Sequence, residues 1–234
     1  MPRITRKELK SDKFALEVEH SLTFFEEHQP EITRYGGAAV VVALLVFGFI
    51  VYQRHERGLR EQALGRAIAV QETGVGPATP GQPSATFPTQ QVKDDTAIKM
   101  FTDVKNKYSG SAEGEIALYY LGSIRADQGN WPEAEKALQE VAQKGDDKYA
   151  SLAKLSLAQV YFAEGKTDQG EKTARDLMAH PTVFVSKDQA TIVLARGLMK
   201  TKPAEARKLL DPLRQSTSAV SQVAITLSNE LPPQ

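Results

Sequence analysis

Residues 131–166 read WPEAEKALQEVAQKGDDKYASLAKLSLAQVYFAEGK, and the pattern of small and large apolar residues within them returns on both sides. Ala134, Leu138 and Val141 stand at i, i+4 and i+7, one face of a helix. The same triplet precedes them by 37 residues as Ala97, Phe101 and Val104. It follows at steps of 36 as Gly170, Ala174, Leu177 and then Ala206, Leu210, Leu213. A second series interleaves with the first: Ala117 with Leu121-Gly122, Ala153 with Leu157-Ala158, Ala190 with Leu194-Ala195. Two helices therefore alternate within each unit, and a unit of this kind buries its apolar stripe only by stacking on its neighbours.

The punctuation keeps the same period. Gly129-Asn130-Trp131-Pro132 and Gly165-Lys166-Thr167 lie 36 residues apart, and Thr201-Lys202-Pro203 closes the next first helix. Glycine suits the end of one helix and proline the first turn of the next. The expectation is an all-α chain with an αα-hairpin solenoid of three to four units over residues 94–234. From Ala219 to Leu231 apolar residues recur at helical spacing before Pro232-Pro233-Gln234, as expected of the capping helix that ends such a stack.

Pattern and punctuation together resemble the tetratricopeptide repeat, in which small residues let paired helices approach and larger apolar ones fill the seam. The unit here is 36 residues long, Leu118 or Lys154 stands where the motif carries an aromatic, and a proline between units is clear only at Pro181. The resemblance implies a protein-binding scaffold whose first helices line a concave groove. It points to Tyr119, Ser123, Gln159, Phe162, Arg196 and Met199 as contact residues. Repeats that capture a terminal carboxylate place several Lys and Asn in that groove, and only Arg196 among these six is basic, which speaks against capture of a free C-terminus.

Ahead of the repeats, residues 35–53 read YGGAAVVVALLVFGFIVYQ, without one ionisable acid or base and bracketed by Arg34 and Arg54. As a helix this stretch spans about 28 Å, close to the thickness of a hydrocarbon core. Ala38 to Val51 is apolar all round, so a small soluble domain has no shell to bury it, whereas lipid does. Tyr35 and Tyr52 occupy the positions of interfacial aromatics, and Arg54 and Arg57 have stems long enough to reach headgroups. A cleavable signal would place a shorter apolar run nearer the start and follow it with small residues, so an uncleaved transmembrane helix is expected. Of the six Lys and Arg before the span only Arg34 lies near it, against four Arg just after, so charge does not fix the orientation.

Residues 54–72 continue the helical pattern. Leu64-Gly65 there makes them either the first helix of a partial repeat paired with Asp95 to Tyr108, or a plain linker. Residues 73–93 hold Pro77, Pro80, Pro83 and Pro88 with three glycines and are expected to form an extended, mobile loop. In residues 1–34, Leu9, Phe14, Val18, Leu22 and Phe25 form one helical stripe ended by Pro30. That tail carries seven carboxylates and six bases, so attraction to anionic lipid is weak and a partner helix is the better match.

Composition narrows the chemistry. Lys plus Arg equal Asp plus Glu at 29 each, and from Asp94 onward 18 bases face 19 acids, which leaves no surplus for binding nucleic acid. There is no cysteine, hence no disulfide, thiolate metal site or cysteine nucleophile. His20, His28, His55 and His180 include no pair at i, i+4, so neither a metal site nor any other cofactor is expected. Gly74-Val75-Gly76 lacks the Gly-Lys-Ser/Thr of a phosphate loop. Glu26-Glu27, Glu133 with Glu135, and Asp146-Asp147 read as solvated faces and turns. Trp131 reads as a cover over the end of a hairpin. No catalytic residue or small-molecule substrate is assigned, and the chain reads as a non-enzyme.

The layout of short tail, single span and repeat pairs, with Tyr149-Ala-Ser-Leu-Ala-Lys-Leu-Ser-Leu-Ala158 opening a unit, resembles the bacterial ancillary subunit of the Sec translocon. That resemblance implies an inner-membrane protein with its tail in the cytoplasm and its repeats in the periplasm. Its implied partners are translocon subunits, periplasmic chaperones and exported client chains. A scaffold for envelope assembly or cell division would have the same physics with other partners. An undetected hydrolase or transferase would need a polar cluster of perturbed acidity in the groove.

Overall fold

The computed structural model describes residues 29–76, 86–217 and 219–232, and every regular element among them is a helix. In chain order these are α1 (Gln29–Glu72), α2 (Gln90–Lys107), α3 (Ala112–Asp127), α4 (Trp131–Lys144), α5 (Asp147–Ala163), α6 (Thr167–Ala179), α7 (Lys187–Leu198), α8 (Pro203–Arg214) and α9 (Ser221–Glu230). The chain divides into two units between Gly58 and Leu59.

The first unit holds most of α1. Pro30 is the second residue of this helix, where its missing N–H costs nothing, so among the described residues it opens a helix instead of ending one. The stripe from Leu9 to Phe25 lies outside the described residues. An 18-residue window of α1 averages 2.2 in mean hydropathy and none of it is buried. Leu45 is 69% and Phe47 66% exposed. Each such side chain left in water forfeits roughly 1.5–3 kcal/mol of burial. The helix is long and apolar enough to cross a membrane.

The second unit starts with the last turns of α1. Leu64 and Ala67 are buried in one cluster with Ala97, Phe101 and Val104 of α2 and Ala117 and Ile124 of α3. Arg60 and Glu113 add a 3.3 Å ion pair between α1 and α3. Residues 59–72 thus share one buried cluster with α2 and α3. The connecting segment is tied at both described ends. Phe87 N–H donates to the Gly74 carbonyl (2.9 Å) and Gly76 N–H to the Phe87 carbonyl (3.0 Å). The helix after it begins at Gln90, ahead of Asp95, because the Thr89 side chain accepts from the Val92 N–H and caps it.

Three hairpins follow, α3/α4, α5/α6 and α7/α8, with α9 packed on the last. All twelve residues of the first apolar series are buried, as are Ala117, Gly122, Ala153, Leu157, Ala158, Ala190, Leu194 and Ala195 of the second. Leu121 is partly buried. Cap residues set the start of the first helices. Ser111, Asp146 and Ser186 each accept a hydrogen bond from a backbone N–H in the first turn, and Ser186 completes a capping box with Gln189.

The ends of α3 and α5 share one construction. Gly129 (φ +73°) and Gly165 (φ +77°) are left-handed. Each donates to the carbonyl three residues back, and the next residue donates five back, Asn130 to Arg125 and Lys166 to Tyr161. That pair of bonds satisfies carbonyls the helix would otherwise leave open. The end of α7 has no left-handed glycine and closes by a Lys202 N–H to Leu198 carbonyl bond of 2.7 Å.

Close approach within a hairpin is enforced at Gly122. A Cβ there would meet Leu138 Cγ at 2.8 Å and the Ala137 Cβ at 3.3 Å. The helices α3 and α4 are therefore as near as a missing side chain allows.

Candidate functional site

Successive first helices pack against one another, α3 on α5 and α5 on α7, with α9 following α7. The faces they leave open form two neighbouring hollows. The larger, about 690 Å³, is lined from α5 by Gln159, Phe162 and Ala163. From α7 and its end come Val193, Arg196, Gly197, Met199 and Lys200. Glu230 at the end of α9 and Leu231 and Pro232 after it close the hollow. The smaller, about 250 Å³, is lined by Ser123, Ala126 and Asp127 of α3, by Trp131, and by Ser156, Gln159, Val160 and Ala163 of α5. Gln159 and Ala163 border both, so the two hollows form one groove across three first helices.

The floor of the larger hollow depends on two glycines. The Phe162 ring lies between Gly170 of α6 and Gly197 of α7, and a Cβ on either would stand 3.0 Å or 2.4 Å from ring carbons. The ring therefore sits down against the two backbones instead of filling the hollow. Leu231 reaches the same place from the far end of the domain. It is 6% exposed in the cluster of Leu194, Leu198 and Leu210. An Arg207 guanidinium donating to the Pro232 carbonyl pins the segment after α9.

Four of the six residues expected from the repeat resemblance, Gln159, Phe162, Arg196 and Met199, line the larger hollow, and Ser123 lines the smaller. Tyr119 lines neither. It packs edge to face on Tyr120 and on Tyr149, both at 5.6 Å between ring centroids. Tyr120 in turn stacks on Phe101 at 4.8 Å. Burial, followed by neighbouring charged and phenolic groups, raises the pKa of Tyr120 and Tyr149, so both phenols stay neutral. Trp131 packs with the cluster of Ala134, Leu138 and Val141 and also borders the smaller hollow.

Sequence reasoning missed Lys200, Gly197 and the fold-back of Leu231-Pro232. Lys200 was within reach, since it stands four residues after Arg196 and so shares its helical side. Nothing local announces that residues after α9 return to α7.

Of the carboxylate pairs singled out in the sequence, Glu26-Glu27 lie outside the described residues, and Glu133, Glu135 and Asp146 have structural partners. Glu133 pairs with Arg125 at 2.9 Å and Glu135 with Lys166 at 2.6 Å. Asp146 caps α5 by accepting from the Tyr149 N–H at 2.9 Å. His180 is exposed and 3.2 Å from an Asp176 carboxylate oxygen. Among the described residues, no three His, Asp or Glu side chains come together in a way that would hold a metal ion. Asp127 is shifted up, first by partial burial and then by the charge of Asp94.

A row of αα-hairpins with an open groove across the first helices is the architecture of a helical-repeat scaffold. The chain matches the tetratricopeptide repeat-like domain over residues 24–210, a stretch that includes the apolar helix as well as the hairpins, and it belongs to that family. Domains of this kind are protein-interaction modules and typically not catalytic. No curated protein and no solved structure gives a significant match.

Proposed function

We propose that this protein is a single-span, membrane-anchored scaffold that acts as an ancillary subunit of the Sec translocon. The apolar part of α1 crosses the inner membrane with the tail in the cytoplasm, and the repeats work in the periplasm. There the groove over α3, α5 and α7 receives segments of exported chains or of periplasmic chaperones. Its contact residues are Ser123, Gln159, Phe162, Arg196 and Met199. The observation that carries this reading is the coexistence, in one family match, of an unburied membrane-length helix and an open groove with an apolar floor.

The reading is tested by a photocrosslinking residue placed at Gln159, exposed and common to both hollows, in bacterial cells. Translocon subunits, chaperones and unfolded exported chains are expected in the adducts. Adducts confined to cell-division or cell-wall machinery overturn it. A reporter fused after Gln234 is expected to report the periplasm, and a cytoplasmic signal reverses the orientation.

A further inference from the structure

Several charges on the second-helix side of the repeats pair with one another. Lys166 pairs with Glu135 (2.6 Å) and Lys202 with Glu171 (2.8 Å), and Arg175 bridges Glu171 and Glu205. The charges bordering the groove differ. Among the described residues, Asp127, Arg196, Lys200 and Glu230 have no ion-pair partner. Along it, Asp127 stands at the α3 end, while Arg196 and Lys200 stand together with Glu230 at the α7 end, two bases to one acid. Two like charges at this spacing repel each other modestly. A carboxylate placed between them relieves that repulsion, and the low-dielectric floor of Phe162 and Met199 strengthens the attraction.

A second polar group stands unpaired beside the groove. The Ser123 hydroxyl oxygen is buried without a hydrogen-bond partner among the described residues, and Ser123 lines the smaller hollow. A buried polar atom of that kind costs free energy until something pairs with it.

We propose, building on the groove as the partner site, that it selects an extended segment of a partner protein by a dipolar charge pattern. An acidic side chain of the segment seats on Arg196 and Lys200. An apolar side chain rests on Phe162 and Met199, and a basic side chain meets Asp127. From α3 to α7 is two helix spacings, about 20 Å. An extended chain covers that distance in about six residues, which sets the separation of the two charges. The acid is an internal side chain and not a chain terminus, because the groove offers only two bases and no asparagine to clamp a terminal carboxylate.

The test uses the full chain in nanodiscs and fluorescent ten-residue probe peptides, read by polarisation. One probe carries Lys and Glu six residues apart around a Leu, and a second has Gln at both charged positions. Each is made with a free and an amidated C-terminus. The charged probe is expected to bind about tenfold tighter than the neutral one, with or without amidation, and to lose that margin as salt rises. The Arg196→Glu, Lys200→Glu double variant should lose the preference and regain it for a probe whose Glu is replaced by Lys. The Arg196→Gln, Lys200→Gln variant should bind the charged and neutral probes alike. Circular dichroism of both variants should be unchanged, since both residues are exposed. Equal binding of charged and neutral probes by the unaltered protein, binding by neither, or a preference that vanishes on amidation overturns the charge reading. If Gln159 crosslinks to exported chains persist in that case, the groove remains the partner site and only the charge pattern falls.

Discussion

The Phe162 ring fills the space beside Gly197 that any side chain at position 197 would need: a Cβ on residue 197 would stand 2.4 Å from three carbons of the ring. Gly197→Ala must therefore move the ring, and the open direction is the larger hollow. The expected cost is about 1–3 kcal/mol, the usual range for overpacking. Urea denaturation should show a lower midpoint with an unchanged slope. Adding Phe162→Ala removes the clash, so the double variant should be no less stable than Phe162→Ala alone, a non-additivity that a merely helix-weakening role for residue 197 would not produce.

Gly122 faces Leu138 in the same manner within one hairpin, at 2.8 Å from an added Cβ to Leu138 Cγ. Gly122→Ala is favourable for helix propensity by about 1 kcal/mol, yet it should destabilise because the clash outweighs that gain. Leu138→Val in the same chain should recover part of the loss. A thermal midpoint that rises in the single variant would show that α3 and α4 can separate freely.

Much of this architecture was legible because it repeats. The triplets ending in Val104, Val141, Leu177 and Leu213 each announce a buried face, and the step of 36 or 37 residues tells which faces stack. The groove was legible only by position, and there the inference placed Gln159, Phe162, Arg196 and Met199 on one hollow while Tyr119 went into an aromatic contact with Tyr149. The rest depends on relations across long separations. The slot for Phe162 needs the crossing of α5 with both α6 and α7, and the closure by Leu231 needs the chain after α9 to return to α7. Neither leaves a periodic trace. Helix α2 starts at Gln90 because of one cap, Thr89, set within a stretch whose prolines read as loop.

The ion pairs on the second-helix side keep the same period, Glu135 and Glu171 lying 36 apart and so do Lys166 and Lys202. Hydrogen bonds from Lys202 and then Arg175 hold the Glu171 carboxyl below its ordinary 4.5, and the bond to Glu171 raises Lys202 above 10.5. The signs follow. The Glu171 contribution is present above pH 4.5 and is lost as pH falls through its lowered value. The Lys202 contribution is present below pH 10.5 and is lost as pH rises through its raised one. Between those limits Lys202→Met should lower the thermal midpoint slightly at low salt. The difference should shrink in 1 M salt because these exposed pairs are screened.

Gly165 holds a left-handed turn (φ +77°) that a side chain enters only at a cost of about 1–2 kcal/mol. Gly165→Ala should lower stability by that amount, and Gly165→Asn by less, because asparagine tolerates this region better than alanine. The equivalent turn after Met199 already lacks a left-handed residue, so a glycine introduced at Thr201 should give no gain. Urea midpoints of the three variants compare the two ways of ending a first helix directly.

Phe101 is fully buried between Leu64 of α1, Ala97 of α2 and Ala117 of α3, with its ring stacked on Tyr120. Phe101→Ala removes a ring from a site shared by three helices and should cost about 3–5 kcal/mol. In a stack of repeats each unit leans chiefly on its neighbours, so the loss should stay local. Amide hydrogen exchange is the deciding measurement. Protection should fall in α2 and in residues 59–72 while α7 and α8 keep theirs. Uniform loss across all hairpins would mean that the domain opens as one cooperative body. Unchanged exchange in residues 59–72 would mean that the end of α1 is a connector and not a member of the repeat stack.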